Sequence, residues 1–281
     1  PEMMPPTAET RWADSFLGEY AWLRWYDFMV VNNKEKLFHI GILPSYGAPL
    51  ALICGDPGRV GHIAALCEDP SPLASNREYT SYSARLDGKR VIIMSHGIGG
   101  PSTAICVEEL YMSGVRTIIR IGTCGGMNKN VRAEDIVIAS SAIRAEGTSR
   151  EYLPVEFPAA ADFEVTDALR RAAGALGLVS HTGIVHCKDS FYGQHSPERM
   201  PIADELQNKW RAYIAGGALA SEMETAALFC VSSCLGIRAG AVLRSLWNQE
   251  IAAAGLPMDG SNPKDELSAA KVAVMAARGL I

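Results

Sequence analysis

The segment T-I-I-R-I-G-T-C-G-G, residues 117–126, joins a continuous apolar run to a glycine-rich end. A run that is apolar along its whole length is typical of a strand whose sheet is covered on both faces. Arg120 interrupts this run. Because a buried guanidinium without a partner is very costly, Arg120 must meet an anion. That anion is either a carboxylate of the protein or a bound ligand, and the neighbouring glycines favour a ligand.

The same organisation continues on both sides of this segment. Further apolar, β-rich runs occupy residues 50–54, 90–94, 136–140, 182–186 and 239–243. Helical patterns lie between several of these runs or follow the last one, at residues 60–67, 102–112, 165–176, 221–235 and 265–278. This alternation predicts one α/β domain, residues 37–281, with a largely parallel sheet between helices. Residues 1–36 break the alternation and predict an N-terminal extension that packs helices on this body.

Composition and charge exclude several classes of protein. The 281 residues are 48% hydrophobic and carry a net charge of −5, which argues against binding to nucleic acid. No apolar stretch approaches the roughly 20 residues of a membrane-spanning helix, and residues 1–10 lack the features of a signal peptide. The seven cysteines are odd in number and form no CxxC motif, as in reduced intracellular proteins. We therefore expect a cytoplasmic protein that contacts neither nucleic acid nor membrane.

Two glycine-rich segments follow apolar runs, where parallel α/β sheets bind their ligands. In G-D-P-G-R, residues 55–59, the backbone amides and Arg59 suit a phosphate, although the same residues also form an ordinary turn. The segment H-G-I-G-G-P-S, residues 96–102, lacks the glycine spacing and the later acidic residue of a dinucleotide site. This favours a structural turn and argues against a dinucleotide-dependent oxidoreductase.

A third segment, S-E-M-E-T at residues 221–225, opens the helical pattern at 221–235. Its two carboxylates either hold the vicinal hydroxyls of a ribose or decorate a helix N-terminus, which favours negative charge. Other chemistry lacks a motif. The six histidines show no metal-ligand spacing, no G-x-S-x-G occurs, and no base accompanies Cys124.

Four of these segments, in this order, resemble one family. They are G-D-P-G-R-V at 55–60, G-I-G-G-P-S at 97–102, R-I-G-T-C-G-G at 120–126 and S-E-M-E-T-A-A-L at 221–228. Together they are similar to the nucleoside phosphorylase family, which includes uridine phosphorylases and hexameric purine nucleoside phosphorylases. The resemblance covers residues 38–281 and implies one α/β domain around a mixed, barrel-like β-sheet flanked by helices. It also implies a homodimer, or a higher oligomer, whose active sites are shared between two subunits.

The resemblance also assigns roles to residues. Those matched to phosphate-binding positions are Gly55, Arg59, Arg77, Arg120 and Thr123, with Arg77 contributed by the neighbouring subunit. Those matched to ribose-binding positions are His39, Met223 and Glu224, with His39 reaching across the dimer interface. Those matched to a K⁺ or Na⁺ site of some members, at the same interface, are Glu78, Ile98 and Ser102.

The loop K-D-S-F-Y-G-Q-H-S-P-E-R, residues 188–199, resembles the loop that binds the base in this family. In members that cleave uridine, a Phe stacks on uracil, a Gln pairs with O2 and N3–H, and an Arg donates to O4. The matching residues here are Phe191, Gln194 and Arg199, together with Gly125. Gln194 comes one residue earlier, and Arg199 later, than in the commonest bacterial pattern. Purine-cleaving members place an aspartate after a later strand, and residues 243–250 contain none.

The resemblance therefore implies an enzyme of pyrimidine salvage, a pentosyltransferase that splits uridine into uracil and ribose 1-phosphate. Inorganic phosphate is its co-substrate, and no organic cofactor is implied. Two alternatives stay open. One is a purine nucleoside phosphorylase or nucleosidase on the same fold, and the other is a noncatalytic nucleoside-binding protein.

Overall fold

The computed structural model describes residues 35–281, so the predicted extension lies outside the described residues except for residues 35 and 36. The strands are β1 (Leu50–Cys54), β2 (Glu68–Asn76), β3 (Tyr79–Leu86), β4 (Lys89–Ser95), β5 (Thr117–Gly126), β6 (Ile136–Ala145), β7 (Ala159–Ala160), β8 (Ser180–Lys188), β9 (Ala220–Glu222) and β10 (Arg238–Asn248). The α-helices are α1 (Pro57–Ala64), α2 (Gly100–Met112), α3 (Thr148–Tyr152), α4 (Phe163–Ala175), α5 (Phe191–His195), α6 (Ala203–Ala215), α7 (Thr225–Cys234), α8 (Gln249–Ala253) and α9 (Ser268–Arg278). Two short 3-10 helices span Pro44–Tyr46 and Pro197–Arg199.

Five strands close into a barrel. Their order is β10, β6, β8, β9 and β5, and the ring closes because β10 pairs with β5 as well as with β6. From β5 the sheet extends outward through β1, β4, β3 and β2, while β7 pairs with β6. The arrangement confirms the mixed, barrel-like sheet that the family resemblance predicted.

The sheet is less parallel than the apolar runs predict. Five strand pairings are parallel, and five are antiparallel. Two of the antiparallel pairings join β2, β3 and β4 through tight turns, in which Arg77 (φ 53°) and Asp87 (φ 49°) adopt left-handed conformations. No residue of β2 is fully buried. A strand of this kind carries no apolar run, so the sequence pattern does not reveal it.

Helices cover both faces of the sheet, and β5 shows why its apolar run is continuous. The first six residues of β5, 117–122, are all buried. Ile118 packs in the core cluster that includes α2 and α7, whereas Ile119 packs in the cluster that includes α1, α4 and α9. Because successive side chains of a strand point to opposite faces, both faces need apolar residues. Within residues 35–281, no helix is both long and apolar enough to cross a membrane.

The start of the predicted helix at 221–235 is wrong. Ser221 and Glu222 belong to β9, which pairs antiparallel with the end of β5 and parallel with β8, and α7 begins only at Thr225. The Glu222 carboxylate then accepts hydrogen bonds from the N–H groups of Glu224 (2.9 Å) and Thr225 (3.0 Å). A strand of three residues is too short to interrupt a helical pattern in the sequence, yet here it closes the barrel.

We predict that Gly240→Ala destabilises the fold. A β-carbon at Gly240 on β10 would overlap Val165 Cγ1 and would lie 3.3 Å from Leu169 Cδ1 on α4. Overpacking of this kind costs about 1–3 kcal/mol, which urea unfolding followed by circular dichroism measures. Gly174→Ala is the matched control, because this position on α4 has open space around it. We expect the control to be neutral or to stabilise by about 0.5–1 kcal/mol. Equal unfolding free energies for the two variants would contradict the close packing of β10 on α4.

Candidate active site

The predicted ligand segments lie side by side at one end of the sheet. β1 pairs in parallel with both β4 and β5, so the carboxyl ends of the three strands adjoin. Backbone contact continues past the strands, where the N–H of Gly97 donates to the carbonyl of Gly55 at 3.1 Å. The glycine segments at 55–59 and 97–102 therefore lie next to each other and close to Arg120 of β5.

Arg120 is 4% exposed and lies between two carboxylates. Its Nη1 lies 3.3 Å from Glu222 Oε2, and its Nη2 donates to Glu224 Oε2. The structure therefore supplies the internal anion that the sequence left as one of two alternatives. Burial would lower the pKa of Arg120, but the Glu224 and Glu222 carboxylates raise it. Among the described residues, Nε and Nη1 have no hydrogen-bond partner, so the guanidinium keeps donors for a further anion.

Glu224 is buried and connects Arg120 to the glycine loop. Its Oε1 accepts a hydrogen bond from the N–H of Gly99 at 2.8 Å. Burial would raise the pKa of Glu224, but Arg120 in particular holds it below the ordinary value of 4.5. The loop can approach this closely because Gly97 and Gly99 both have positive φ, 74° and 89°. Residues 96–99 thus form the loop between β4 and α2, and this loop presents a backbone N–H to a site carboxylate.

His96 is a fully buried residue for which the sequence suggested no role. Its Nδ1 lies 3.2 Å from Thr103 Oγ1, and its Nε2 has no hydrogen-bond partner among the described residues. Burial, and then the charge of Arg120, lower the pKa of His96 to about 3, so the ring is neutral at pH 7. A β-carbon placed on Gly55 would lie 3.9 Å from both His96 Cε1 and Arg59 Nη2. The two side chains therefore border the backbone of Gly55.

The other residues matched to phosphate and ribose surround the same strand ends. Arg59 stands on the first turn of α1, half-buried, with Nε 3.9 Å from Asp56 Oδ2. Thr123 lies half-buried near the end of β5, and Met223 half-buried between β9 and α7. The structure thus brings Arg59, Arg120 and Thr123 to adjoining strand ends.

The loop at residues 188–199 borders a cavity of about 570 Å³. Gln194 lines this cavity, and its Oε1 accepts a hydrogen bond from Ser221 Oγ at 2.7 Å. Gly125 stands opposite Ser221 in the pairing of β5 with β9. Phe191 is 49% exposed, with its ring centroid 4.3 Å from that of His195. Arg199 is exposed on the second 3-10 helix and is not among the residues that line the cavity.

Two cavity residues at the end of β8 received no role from the sequence. Lys188 Nζ donates to Ser221 Oγ at 2.9 Å, and His186 Nδ1 lies 3.1 Å from the same oxygen. One signal could have identified Lys188. It is a charged residue at the end of a strand, where parallel α/β sheets bind their ligands.

His39 and Arg77 form a separate group. His39 Nδ1 lies 2.6 Å from Glu109 Oε1 of α2, and the carboxylate of Glu109 also accepts from the N–H of Ile40 at 2.8 Å. Arg77 is exposed at the tip of the turn between β2 and β3, with its guanidinium 6.0 Å from the centre of the Phe38 ring. Within one chain, His39 lies in the turn at residues 38–40 and Arg77 lies in the turn between β2 and β3.

The residues matched to a cation site are only partly together. Ser102 Oγ lies 2.9 Å from Glu78 Oε1. A hydrogen bond from its own backbone N–H, and then the one from Ser102, hold the pKa of Glu78 below its ordinary value. The side chain of Ile98 is 77% exposed. Two oxygen donors thus adjoin, and any contribution from Ile98 would come from its backbone.

A mixed five-stranded barrel, with arginines and carboxylates gathered at its strand ends beside a base-sized cavity, defines an α/β enzyme that handles nucleosides. The chain belongs to the phosphorylase superfamily, whose family model matches residues 49–277. It is 49% identical to the uridine phosphorylase of Treponema pallidum over 90% of this chain and 97% of that protein. It is 40% identical to the uridine phosphorylase of Escherichia coli over 89% of this chain and all of that protein. A guanosine phosphorylase of Halorubrum lacusprofundi is 41% identical over 69% of this chain and 76% of its own length.

We predict that Glu224→Gln reduces stability at pH 7 by about 1–3 kcal/mol, because the Arg120 guanidinium loses a charged partner. The pKa of Glu224 is lower in the folded state than its ordinary value of 4.5. Its ionised form therefore stabilises the fold above that value, and this contribution is lost as the pH falls through the folded pKa. The difference in unfolding free energy between wild type and Glu224→Gln, measured by urea titration, should therefore decrease as the pH falls from 7 to 3.

The matched control is Glu156→Gln, which changes an exposed carboxylate in the loop before β7. We expect this variant to follow the wild type at every pH. If the stability difference of Glu224→Gln instead stayed constant down to pH 3, Glu224 would not be the charged partner of Arg120.

Proposed function

We propose that this protein catalyses the phosphorolysis of uridine to uracil and ribose 1-phosphate. The uridine phosphorylases of T. pallidum and E. coli match it over 97% and 100% of their lengths, which supports this activity. The observation that carries the proposal is that two neighbouring residues of β9 contact two different parts of the site. Glu222 contacts Arg120, where an anion would bind, and its neighbour Ser221 holds Gln194 in the cavity. An anion site and a base-reading amide are thus supported by consecutive residues.

In the reaction, phosphate attacks C1′ of the ribose as the bond to uracil N1 breaks. We place the phosphate against Arg59, Arg120 and Thr123, with the backbone of Gly55 beside it. Donors that are already held in place stabilise charge without reorganising during the reaction. The two ion pairs of Arg120 provide such a fixed arrangement. The phosphate charge in turn favours the positive charge that develops on the sugar.

The ribose and the base are held on either side of β9. The carboxylate of Glu224 would accept hydrogen bonds from ribose hydroxyls, and Met223 would pack on the sugar. Negative charge develops on uracil as it leaves, and the Gln194 amide stabilises this charge while Phe191 stacks on the ring. Arg199 would reach uracil O4 only after its 3-10 helix moved inward, because it lies outside the cavity.

The direct test is to incubate the protein with uridine, thymidine, inosine or guanosine, with and without phosphate, and to measure the free base. We expect uracil and ribose 1-phosphate to appear only with phosphate, and inosine to be a poor substrate, because residues 243–250 contain no aspartate. Guanosine is included because the H. lacusprofundi relative is a guanosine phosphorylase. Equal uracil release without phosphate would indicate a hydrolase, and a preference for guanosine or inosine would indicate a purine phosphorylase.

The second part of the proposal is that two copies of the chain form a homodimer that shares its active sites. His39 and Arg77 support it, because both lie in turns outside the five-stranded barrel and yet match ligand-binding positions of the family. A symmetric dimer uses the same surface patch twice, so each copy would complete the site of the other. A higher oligomer could be built from such dimers.

Complementation between inactive variants tests this sharing. Arg77→Ala and Arg59→Ala should each be inactive, because they remove phosphate ligands from opposite sides of one site. Arg59 is chosen over Arg120, since removing Arg120 would leave two buried carboxylates unpaired. After subunit exchange, about half of the dimers are mixed, and in each of these one site carries both changes and the other carries none. Activity should recover to about a quarter of the wild-type value. No recovery despite proven exchange would mean that Arg77 serves the site of its own subunit.

Two further parts of the proposal concern ions and location. The oxygens of Glu78 and Ser102 suit a hard monovalent cation such as K⁺ or Na⁺ at the dimer interface. All seven cysteines are free thiols, which supports a cytoplasmic location.

A further inference from the structure

Lys188 is a buried cation at the end of β8 that the reaction described above leaves unused. It is 7% exposed and lines the cavity that also contains Gln194. Burial lowers the pKa of Lys188, and the nearby Glu222 carboxylate opposes that shift. A buried ammonium needs hydrogen-bond acceptors to offset its desolvation, so the contacts of Lys188 indicate what it does.

The contacts of Lys188 pass through one hydroxyl. A serine hydroxyl has one proton to donate and two lone pairs that accept. Lys188 Nζ donates to Ser221 Oγ, and Ser221 donates its own proton to Gln194 Oε1. His186 is neutral, because burial lowers its pKa to about 4, so its Nδ1–H can occupy the second lone pair of Ser221. The hydroxyl is then fully used.

The hydrogen bonds from Lys188 to Ser221 and from Ser221 to Gln194 form a relay, and this relay fixes the orientation of the Gln194 amide. Its oxygen faces Ser221 at 2.7 Å, and its nitrogen faces Gln249 Oε1 at 3.4 Å. An amide turned the other way would present two hydrogen atoms where the Ser221 proton now points. The side chain that reads uracil is therefore oriented by Ser221, and Ser221 is oriented by the ammonium of Lys188.

Among the cavity-lining residues within 35–281, no other cation makes this connection. Arg144 is also buried, but its guanidinium donates to Ser149 and to the carbonyls of residues 149, 153, 154 and 157. Arg150, Lys209 and Arg211 are exposed. Arg199 does not line the cavity at all. Lys188 is thus the buried cavity cation whose hydrogen bonds lead to the base-reading amide.

We infer that Lys188 is a positioning residue for uridine cleavage, which acts through Ser221 to orient Gln194 and to favour negative charge on the departing uracil. The inference rests on the proposed function, because it assigns Gln194 to the base. A hydrogen bond to a cation polarises the bonds that follow it in the chain. The positive end of the relay therefore strengthens the hold of Gln194 on a base that gains electrons.

The test compares Lys188→Met and Ser221→Ala with wild type on uridine and on 5-fluorouridine, whose fluorine stabilises the departing base by itself. We expect kcat for uridine to fall about 10- to 100-fold in each variant, less than the 10²–10³-fold typical of losing a direct donor. The loss should be clearly smaller with 5-fluorouridine, and KM for phosphate should be unchanged. The double variant should be no slower than the single ones, because both changes break the same relay.

Lys209→Met is the matched control, since Lys209 at the outer rim of the same cavity is 55% exposed and pairs with Glu205. It should retain wild-type rates. Wild-type activity in Lys188→Met, an equal loss on both substrates, or losses that multiply in the double variant would each overturn the inference. If Lys188→Met does not fold, Ser221→Ala carries the test, and its failure to slow uridine cleavage overturns the inference. A wild-type protein that releases no uracil with phosphate would instead refute the proposed function, and with it this inference.

Discussion

The ion pairs of Arg120 with Glu222 and Glu224 are the interaction on which the rest of the site depends. A guanidinium in the middle of a buried strand is tolerated only if anions reach it inside the protein. The stretch that carries both carboxylates, with Glu222 at the end of β9 and Glu224 just before α7, lies about a hundred residues further along the chain. That stretch must therefore lie against β5, and β9 achieves this by pairing with both β5 and β8. The pairing of β9 thus closes the barrel and also brings Glu222 and Glu224 to Arg120.

The same short strand divides the site into two chemical regions. Side chains alternate along a strand, so Ser221 and Glu222 point in different directions although they are neighbours. Glu222 contacts Arg120 and caps α7, while Ser221 contacts Lys188, His186 and Gln194. The anion region and the base region therefore share a backbone, which fixes the distance between them.

The parts of the fold and site that carry a local signal could be predicted from the sequence. Arg120 could be recognised because a charge stands out in an apolar run, and the continuous run itself predicted coverage on both faces. β9 could not be recognised, because three residues do not disturb a helical period. Lys188 stands at the end of a strand, where a lysine chain can keep its ammonium near water, so its burial does not follow from the sequence. His39 was matched only through the family resemblance, since its partner Glu109 lies 70 residues away.

The three-residue length of β9 has a consequence for how this protein can change. Because the side-chain period of a strand is two, a slip of one residue would turn every side chain of β9 to the opposite face. Glu222 would then leave Arg120, and Ser221 would leave Gln194, in a single step. Insertions and deletions in the turn between α6 and β9 therefore act on both halves of the site at once. This turn should keep its length even where the other loops of the chain vary freely.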